Sequence, residues 1–284
     1  MFSYIQEFFA DPKGMLVFFI LAFPGRIMAL SVHEFAHAWV ANRCGDYTAK
    51  SLGRMTLNPL KHLDPIGTIL MLVAGFGWAK PVPVNPLHYR NYRRDDLLVS
   101  IAGVTMNLIM FALSMLIMFA ILAATVARAP MVTNQWARDL PALYRTTEGG
   151  QTILCWLESD SYYYAGISDM ALSLPYISSI VTAIYGAVPG YLYQMLAYFA
   201  VVNIALCIFN LIPMPPLDGY HVLNDLILKK PLFANPRTQQ ITYTILIVLM
   251  FTGALSTGLG WVNEQVISGA CHLARLGLSL FGLV

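Results

Sequence analysis

Charged residues are scarce in this sequence. Only 11% of its 284 residues are Asp, Glu, Lys or Arg, whereas 57% are hydrophobic, and the mean hydropathy is +0.62. Soluble globular domains carry about 25% charged residues. The composition therefore excludes an ordinary soluble domain and indicates a chain whose main solvent is the lipid bilayer.

The sequence also has no concentrated basic segment and no close pair of cysteines. A net charge of +2 with dispersed Lys and Arg argues against a nucleic-acid partner. Without a CxxC or similar spacing, neither a disulfide framework nor a thiolate metal site is expected. A removable signal peptide is not expected either, because no small-residue cleavage signature follows the first apolar run. The four thiols predicted to be unpaired are Cys44, Cys155, Cys207 and Cys271.

Long hydrophobic runs are abundant. Four of them reach the roughly 20 residues that a spanning helix needs, and only the first contains formal charges. We therefore predict an all-α polytopic membrane protein with about four spanning helices. The runs are Met15–Ala41, Leu97–Ala127, Gly190–Ile212 and Ile241–Val262.

Two segments between the first and second runs cannot be spanning helices. The apolar stretch Ile66–Phe76 is too short to cross a bilayer. Gly77–Pro86 contains too many prolines for a helix. We predict a membrane-dipping segment followed by a short extended strand or hairpin.

The basic residues predict the orientation. The connections at 43–64, 80–94 and 213–240 carry four, four and three of the 17 Lys and Arg residues, so these connections should be cytoplasmic. The long connection at 128–189 should then form an extracytoplasmic loop or lobe within a single domain covering residues 1–284. The segment at 263–284 is either an interfacial amphipathic helix or a packing or oligomer contact.

Two histidines and a glutamate interrupt the first hydrophobic run. His33 and His37 are one helical turn apart, so both imidazoles can reach one ion, and Glu34 lies beside them. A hydrogen-bonded pair of core histidines is the alternative. In a lipid-compatible helix, however, these three side chains cost several kcal/mol unless they are paired, hydrated or metal-bound. The pattern predicts a zinc site with Glu34 near the open position.

A third ligand must come from elsewhere, because catalytic zinc normally takes three protein ligands. Asp218 follows three prolines that end a spanning helix and leave irregular backbone, which is tolerated only inside protein or beside water. The alternative is that Asp218 caps the helical pattern at Tyr220–Leu228. His221 is a weaker candidate ligand, for which a hydrogen-bonding or structural role is favoured.

These motifs resemble the site-2 protease family of intramembrane zinc metalloproteases. The resemblance rests on HEFAH at 33–37 and NLIPMPPLDG at 210–219, with GVTMN at 103–107 similar to the family's Gly-x-x-x-Asn element. GWAKPVPVNP at 77–86 looks like the compact bacterial branch, which has no PDZ or CBS domain. The resemblance covers about residues 15–262. Val104 departs from it, because family members often have proline there.

The resemblance implies a role for each motif residue. His33, His37 and Asp218 would bind one Zn²⁺ per chain, and Glu34 would be the catalytic base. Substrate or oxyanion contacts are expected from Asn210, Asn107 and Gly103, with Asn210 as the first candidate oxyanion donor. The strand Gly77–Asn85 would hold unwound substrate by its edge, or act as a lid or interfacial anchor. The strand residues concerned are Gly77, Trp78, Ala79, Lys80, Pro81 and Val82.

The expected function is hydrolysis of peptide bonds within or near transmembrane segments of membrane proteins, such as anti-sigma factors or remnant signal peptides. His37 lies six residues before Arg43, which places the site about 10 Å from the cytoplasmic boundary of what is expected to be a bacterial cytoplasmic membrane. A metal transporter would usually have more spans and polar sites aligned along a path. A catalytically inactive relative would lack Glu34 or a ligand.

Overall fold

Helices dominate the described part of this chain, in agreement with the predicted all-α class. The computed structural model describes residues 10–73, 77–128, 143–148, 151–158, 161–165, 181–182, 185–228 and 235–280.

The first helix, α1, spans Pro12–Cys44 and has defined signals at both ends. Asp11 accepts a hydrogen bond from the Gly14 N–H, and Pro12 occupies the first turn, where a missing N–H costs nothing. Gly45 ends the helix with φ of 110°, a left-handed conformation that suits glycine. At 33 residues α1 is about 50 Å long, more than a bilayer core requires.

Short elements connect α1 to the next long helix. They are α2 (Thr48–Ser51), a 3-10 turn (Pro59–Lys61), α3 (Pro65–Val73) and a second 3-10 turn (Pro86–His88). The nine residues of α3 span about 14 Å, too little to cross a membrane, as predicted. The predicted strand is extended backbone that forms an isolated antiparallel bridge between Ala79 and Leu63.

Two further helices match predicted spans: α4 (Tyr92–Arg128) and α5 (Ala187–Asn210). With α1 they make three helices in the described residues that are long and apolar enough to cross a membrane. They correspond to the first three predicted spans and make this an integral membrane protein.

The fourth predicted span, 241–262, does not form one continuous helix. After α5 come α6 (Asp218–Val222), a π-helical turn (Leu223–Leu228), α7 (Pro236–Thr252) and α8 (Ala254–Leu280). Gly253 adopts φ of 80° between α7 and α8 and divides the predicted run. The 17 residues of α7 are about 26 Å long, so the count of four spans stays a prediction.

A three-stranded antiparallel sheet lies in the predicted lobe, where the sequence was interpreted only as a loop or lobe. Its strands are β1 (Leu143–Glu148), β2 (Gln151–Glu158) and β3 (Ser161–Ala165), paired in chain order. The signal was available, because aromatic and β-branched residues are enriched in these stretches and Gly149-Gly150 separates the first two. Residues 129–142 and 166–180 of the lobe lie outside the described residues.

The chain divides into two compact units. One contains residues 1–111 and 199–263, and the other contains 112–198 and 264–284. In the first unit, alanines on α1 are almost completely buried, which allows neighbouring backbone to approach closely. Cys44 and Cys207 are buried free thiols, as predicted, whereas the side chains of Cys155 and Cys271 lie outside the described ones. The alanines are Ala29, Ala36, Ala38 and Ala41.

Candidate metal centre

Three potential ligand atoms converge in the first unit. On α1, the Nε2 atoms of His33 and His37 lie 3.0 Å apart. The Oδ2 atom of Asp218 lies 3.3 Å from Nε2 of His33 and 3.4 Å from Nε2 of His37. The residues that the sequence singled out as ligands therefore meet, although Asp218 lies about 180 residues further along the chain.

This triangle fits a tetrahedral zinc ion. With metal–ligand distances of 2.0 to 2.1 Å, two ligand atoms of a tetrahedron lie about 3.3 to 3.4 Å apart. Oδ2 of Asp218 is also buried and accepts no hydrogen bond from the described residues, although two imidazole nitrogens are close. A buried carboxylate oxygen in this state is explained by a cation at the centre of the triangle.

Local chain geometry brings Asp218 to this point. After α5 ends at Asn210, the proline-containing segment turns back, and Asp218 is the first residue of α6. The N-cap position belongs to Leu217, so the alternative in which Asp218 caps the helix is not what the fold adopts. A Cβ atom on Gly219 would lie 2.4 Å from the Leu211 carbonyl oxygen, so this reversal requires glycine.

A backbone group of α4 fixes the orientation of His37. The Nδ1–H of His37 donates a hydrogen bond of 2.7 Å to the Val99 carbonyl oxygen, which can only accept. In the neutral imidazole, the remaining nitrogen, Nε2, carries no proton, and it lies 3.4 Å from Oδ2 of Asp218. Ligating histidines are usually held in this way by an acceptor at the second ring nitrogen.

Asn107 occupies the corresponding place beside His33. The Asn107 side chain is completely buried, with Nδ2 3.2 Å from Nδ1 of His33, and its Oδ1 has no partner among the described residues. The two amide atoms are interchangeable by a half-turn of the side chain. With the amide turned, Oδ1 accepts the Nδ1–H of His33, and Nε2 of that neutral imidazole is free to bind metal.

Gly103 lies between these two contacts on the same face of α4. A Cβ atom there would be 2.5 Å from Cε1 of His33 and 2.5 Å from Nε2 of His37. Val99, Gly103 and Asn107 follow one another at intervals of four residues, the spacing of a helix face. The Gly-x-x-x-Asn element therefore faces the imidazoles. Sequence reasoning missed Val99, which the same four-residue spacing could have indicated.

Glu34 meets a backbone donor from the extended segment 77–85, here called the strap. Its Oε2 accepts a hydrogen bond of 2.7 Å from the Val82 N–H. The strap is anchored nearby, because the Lys80 N–H donates to the His62 carbonyl at 2.8 Å and Arg54 donates to the Lys80 carbonyl at 2.7 Å. The predicted base, next to His33 in the chain, is thus bonded to the predicted substrate strand.

The family model described as "Peptidase family M50" matches residues 18–253, which include every one of these groups. The chain belongs to peptidase family M50. This is the site-2 protease family, and the protein is a metalloprotease.

Several curated proteins are similar to this M50 protease. "Putative zinc metalloprotease YwhC" of Bacillus subtilis is 30% identical over 278 residues, covering 98% of each chain. "Putative zinc metalloprotease Rip2" of Mycolicibacterium smegmatis is 24% identical over 90% of this chain and 74% of its own length. Its namesake in Mycobacterium tuberculosis strain H37Rv is 25% identical over 94% and 82%. No solved structure matches the chain.

Other predicted site residues of the M50 protease make contacts away from the ligands. Nδ2 of Asn210 donates to the Leu206 carbonyl of its own helix at 3.0 Å and makes no hydrogen bond to the triangle among the described residues. His221 lies 3.0 Å from Oδ2 of Asp96 and is an ion-pair residue in this structure, in line with the structural role favoured from the sequence.

Asp46 holds the far end of the strap. This completely buried carboxylate accepts the Asn85 N–H at 2.7 Å and the Thr48 N–H at 3.0 Å, and it lies 3.1 Å from Nδ1 of His88. Burial alone would raise the pKa of Asp46, but the hydrogen bonds from Thr48, Asn85 and His88 outweigh it and hold that pKa below its ordinary value. The carboxylate is therefore ionised wherever the protease works near neutrality.

Proposed function

We propose that this M50 protease is a zinc-dependent endopeptidase that cuts peptide bonds within or near transmembrane segments, and that residues 1–284 act as one intramembrane protease domain. The observation that carries the proposal is the triangle formed by His33, His37 and Asp218, with Glu34 as the neighbour of His33 in the chain. Three ligands, an open fourth position and an adjacent carboxylate are the composition of hydrolytic zinc sites.

Each residue then has a distinct task. His33, His37 and Asp218 would hold one zinc ion, which supplies Lewis-acid polarisation of the scissile carbonyl and acidifies a water molecule. Glu34 would take a proton from that water and later deliver it to the departing amine, as a general base and then a general acid.

Asn107 and Gly103 would support the ligands, whereas Asn210 would serve the transition state. Asn107 would keep Nε2 of His33 unprotonated, and Gly103 would leave room for both imidazoles. To donate to the developing oxyanion, the Asn210 amide would use its second Nδ2–H, since the first is bonded to the Leu206 carbonyl. Loss of such a donor typically costs about 3 to 4 kcal/mol of transition-state stabilisation.

Substrate would enter as an unwound segment along the strap, because a helix conceals its peptide bonds in its own hydrogen bonds. The N–H groups of Lys80 and Val82 already have partners, and Pro81 and Pro83 have no N–H. Between Lys80 and Pro83 the strap therefore offers substrate carbonyls rather than N–H groups, such as the carbonyl of Val82. Anti-sigma factors and remnant signal peptides are suitable substrates, since both present transmembrane segments.

The location proposed is a bacterial cytoplasmic membrane, with the metal centre nearer the cytoplasmic side. Bacterial relatives, the basic connections flanking the predicted spans and the position of His37 near the end of α1 support this orientation. Six residues separate His37 from Arg43, so a short hydrated channel of about 10 Å would supply water.

The test compares the wild type with Glu34→Gln in detergent. Zinc content is measured by mass spectrometry, and cleavage is measured on a panel of transmembrane peptides. Glu264→Gln, which changes an exposed glutamate in α8, is the matched control. We expect about one zinc per chain in all three proteins, and cleavage by the wild type and the control only. A wild type without zinc, or equal cleavage by Glu34→Gln, would contradict the proposal.

A further inference from the structure

The proposed function assigns no role to the hydrogen bond between Glu34 and the strap. The donor at 2.7 Å is the main-chain N–H of Val82, so it persists whatever side chain stands at that position. A main-chain donor on an anchored segment has no rotamers of its own, whereas the glutamate side chain has three rotatable bonds. The strap is therefore the rigid partner in this pair.

We propose that the Val82 amide is a positioning group for the catalytic base, which holds Oε2 of Glu34 so that Oε1 is the oxygen that exchanges the proton. The inference rests on the proposed function of Glu34. General bases act only within hydrogen-bond reach of the proton they take, and a displacement of about 1 Å can cost roughly 100-fold in rate. Fixing one oxygen limits that displacement.

Packing keeps the donor in place. The Val82 side chain is buried against Ala38 and Ala49, and Ala38 stands one turn beyond Glu34 on α1. The strap thus packs against the helix that carries the base. Hydrogen bonds at Lys80 and Asn85, on either side of Val82, prevent sliding along that helix.

The same segment would serve substrate and base together. Substrate that pairs with the strap carbonyls would contact the same segment whose Val82 amide holds Glu34. Alignment of the base would then depend on an ordered strap, and the rate of the chemical step would be more sensitive than substrate affinity to loss of this one N–H.

The test removes that N–H and compares it with a matched proline. Val82→Pro deletes the donor in already extended, proline-flanked backbone. Val84→Pro makes the same chemical change two residues later, where the N–H has no partner among the described residues. Zinc content, kcat and KM on a fluorogenic transmembrane peptide are measured for both variants and the wild type.

We expect Val82→Pro to retain zinc and to lose about 10- to 100-fold in kcat, with KM changed by less than about threefold. Val84→Pro lies on the same substrate-holding strap and should act on KM rather than on kcat, which should remain within about threefold of the wild type. Equal kcat values for the two proline variants, or a higher kcat for Val82→Pro, would overturn the positioning role while leaving the protease function intact, since the wild type would still cleave.

If Val82→Pro does not fold, a backbone ester at position 82 tests the inference instead. Replacing the Val82 amide by the ester of the corresponding α-hydroxy acid removes the N–H and keeps the side chain. The kcat of this variant should fall at least about tenfold at unchanged zinc content, and a wild-type kcat would refute the inference. Absence of zinc and of cleavage in the wild type itself would instead refute the proposed function.

Discussion

Gly103 leaves no room for a side chain beside the proposed ligands on α1. Its Cα hydrogen occupies a place where a methyl group would be 2.5 Å from atoms of both His33 and His37. We expect Gly103→Ala to lower zinc affinity by about 100-fold or more, because it moves two ligands at once. Chelator competition measures this. Gly260→Ala, at a glycine with open space around it, is the control and should bind zinc normally. Unchanged affinity in Gly103→Ala would contradict the packing described for α4.

Asn107 gives a second prediction at the scale of one side chain. Asn107→Leu keeps the volume but removes the group that faces Nδ1 of His33, and zinc affinity should fall about 10- to 100-fold, as is typical for lost outer contacts of a ligand. The Co²⁺-substituted protein reports the same change through its visible spectrum. Asn203→Leu removes an equally buried amide that bonds within its own helix at the Phe199 carbonyl, and it should leave zinc affinity unchanged. Equal losses in both variants would point to general destabilisation.

At the scale of elements, α6 carries Asp218, the proposed third ligand, and is tied to α4 by His221 and Asp96. The bond to Asp96 raises the pKa of His221 above its ordinary 6.5, and half of the imidazole is exposed. The negative charges of Asp218 and Asp225 also raise the pKa of His221. The positive charge of Arg93 lowers the pKa of Asp225.

The stabilisation by this ion pair should depend on pH. Because the pKa of His221 is raised on folding, its contribution is fully present below about pH 6.5 and is lost as the pH rises through the raised value. The melting temperature of the wild type should exceed that of His221→Gln by about 1 to 3 °C at low pH and by less at high pH. Burial raises the pKa of Asp225 to about 6, but Asp225 titrates in both proteins. His272→Gln, an exposed histidine in α8, serves as the control, and a pH-independent difference would contradict the ion pair.

The elements could be predicted from the sequence to different degrees. Hydrophobic run length sufficed for α1, α4 and α5, because span length is set by the bilayer. The division at Gly253 could not be foreseen, since a glycine within an apolar run is compatible with a continuous helix and its positive φ depends on the surrounding fold.

The site was predictable where residue spacing dictates geometry and unpredictable where partners come from distant segments. His33 and His37 share a helix face by their spacing alone. The bond from Val82 to Glu34 joins residues 48 positions apart through backbone, and no side-chain pattern records it. Asn107 and Gly103 also come from a segment distant from His33 and His37. The sequence predicts them near substrate, whereas the structure brings them to the two imidazoles.

For the whole molecule, the orientation in the membrane is open to a direct test. An epitope inserted at Gly53, an exposed position with open space around it, should be digested by protease only after the cells are permeabilised. An epitope between Gly149 and Gly150 should be digested in intact spheroplasts. The two outcomes follow from the basic connections and the three spanning helices. The reverse pattern would place the metal centre nearer the opposite side.

The separation of the ligands along the chain has a consequence for biosynthesis. His33 and His37 leave the ribosome early, but Asp218 follows only after the whole of the second compact unit's first segment, 112–198, has been made. A nascent or prematurely terminated chain therefore carries two of the three proposed ligands and the proposed base but not the third ligand. The proposed zinc site would be completed only after translation has passed Asp218, so a chain that stops earlier would not be an active protease.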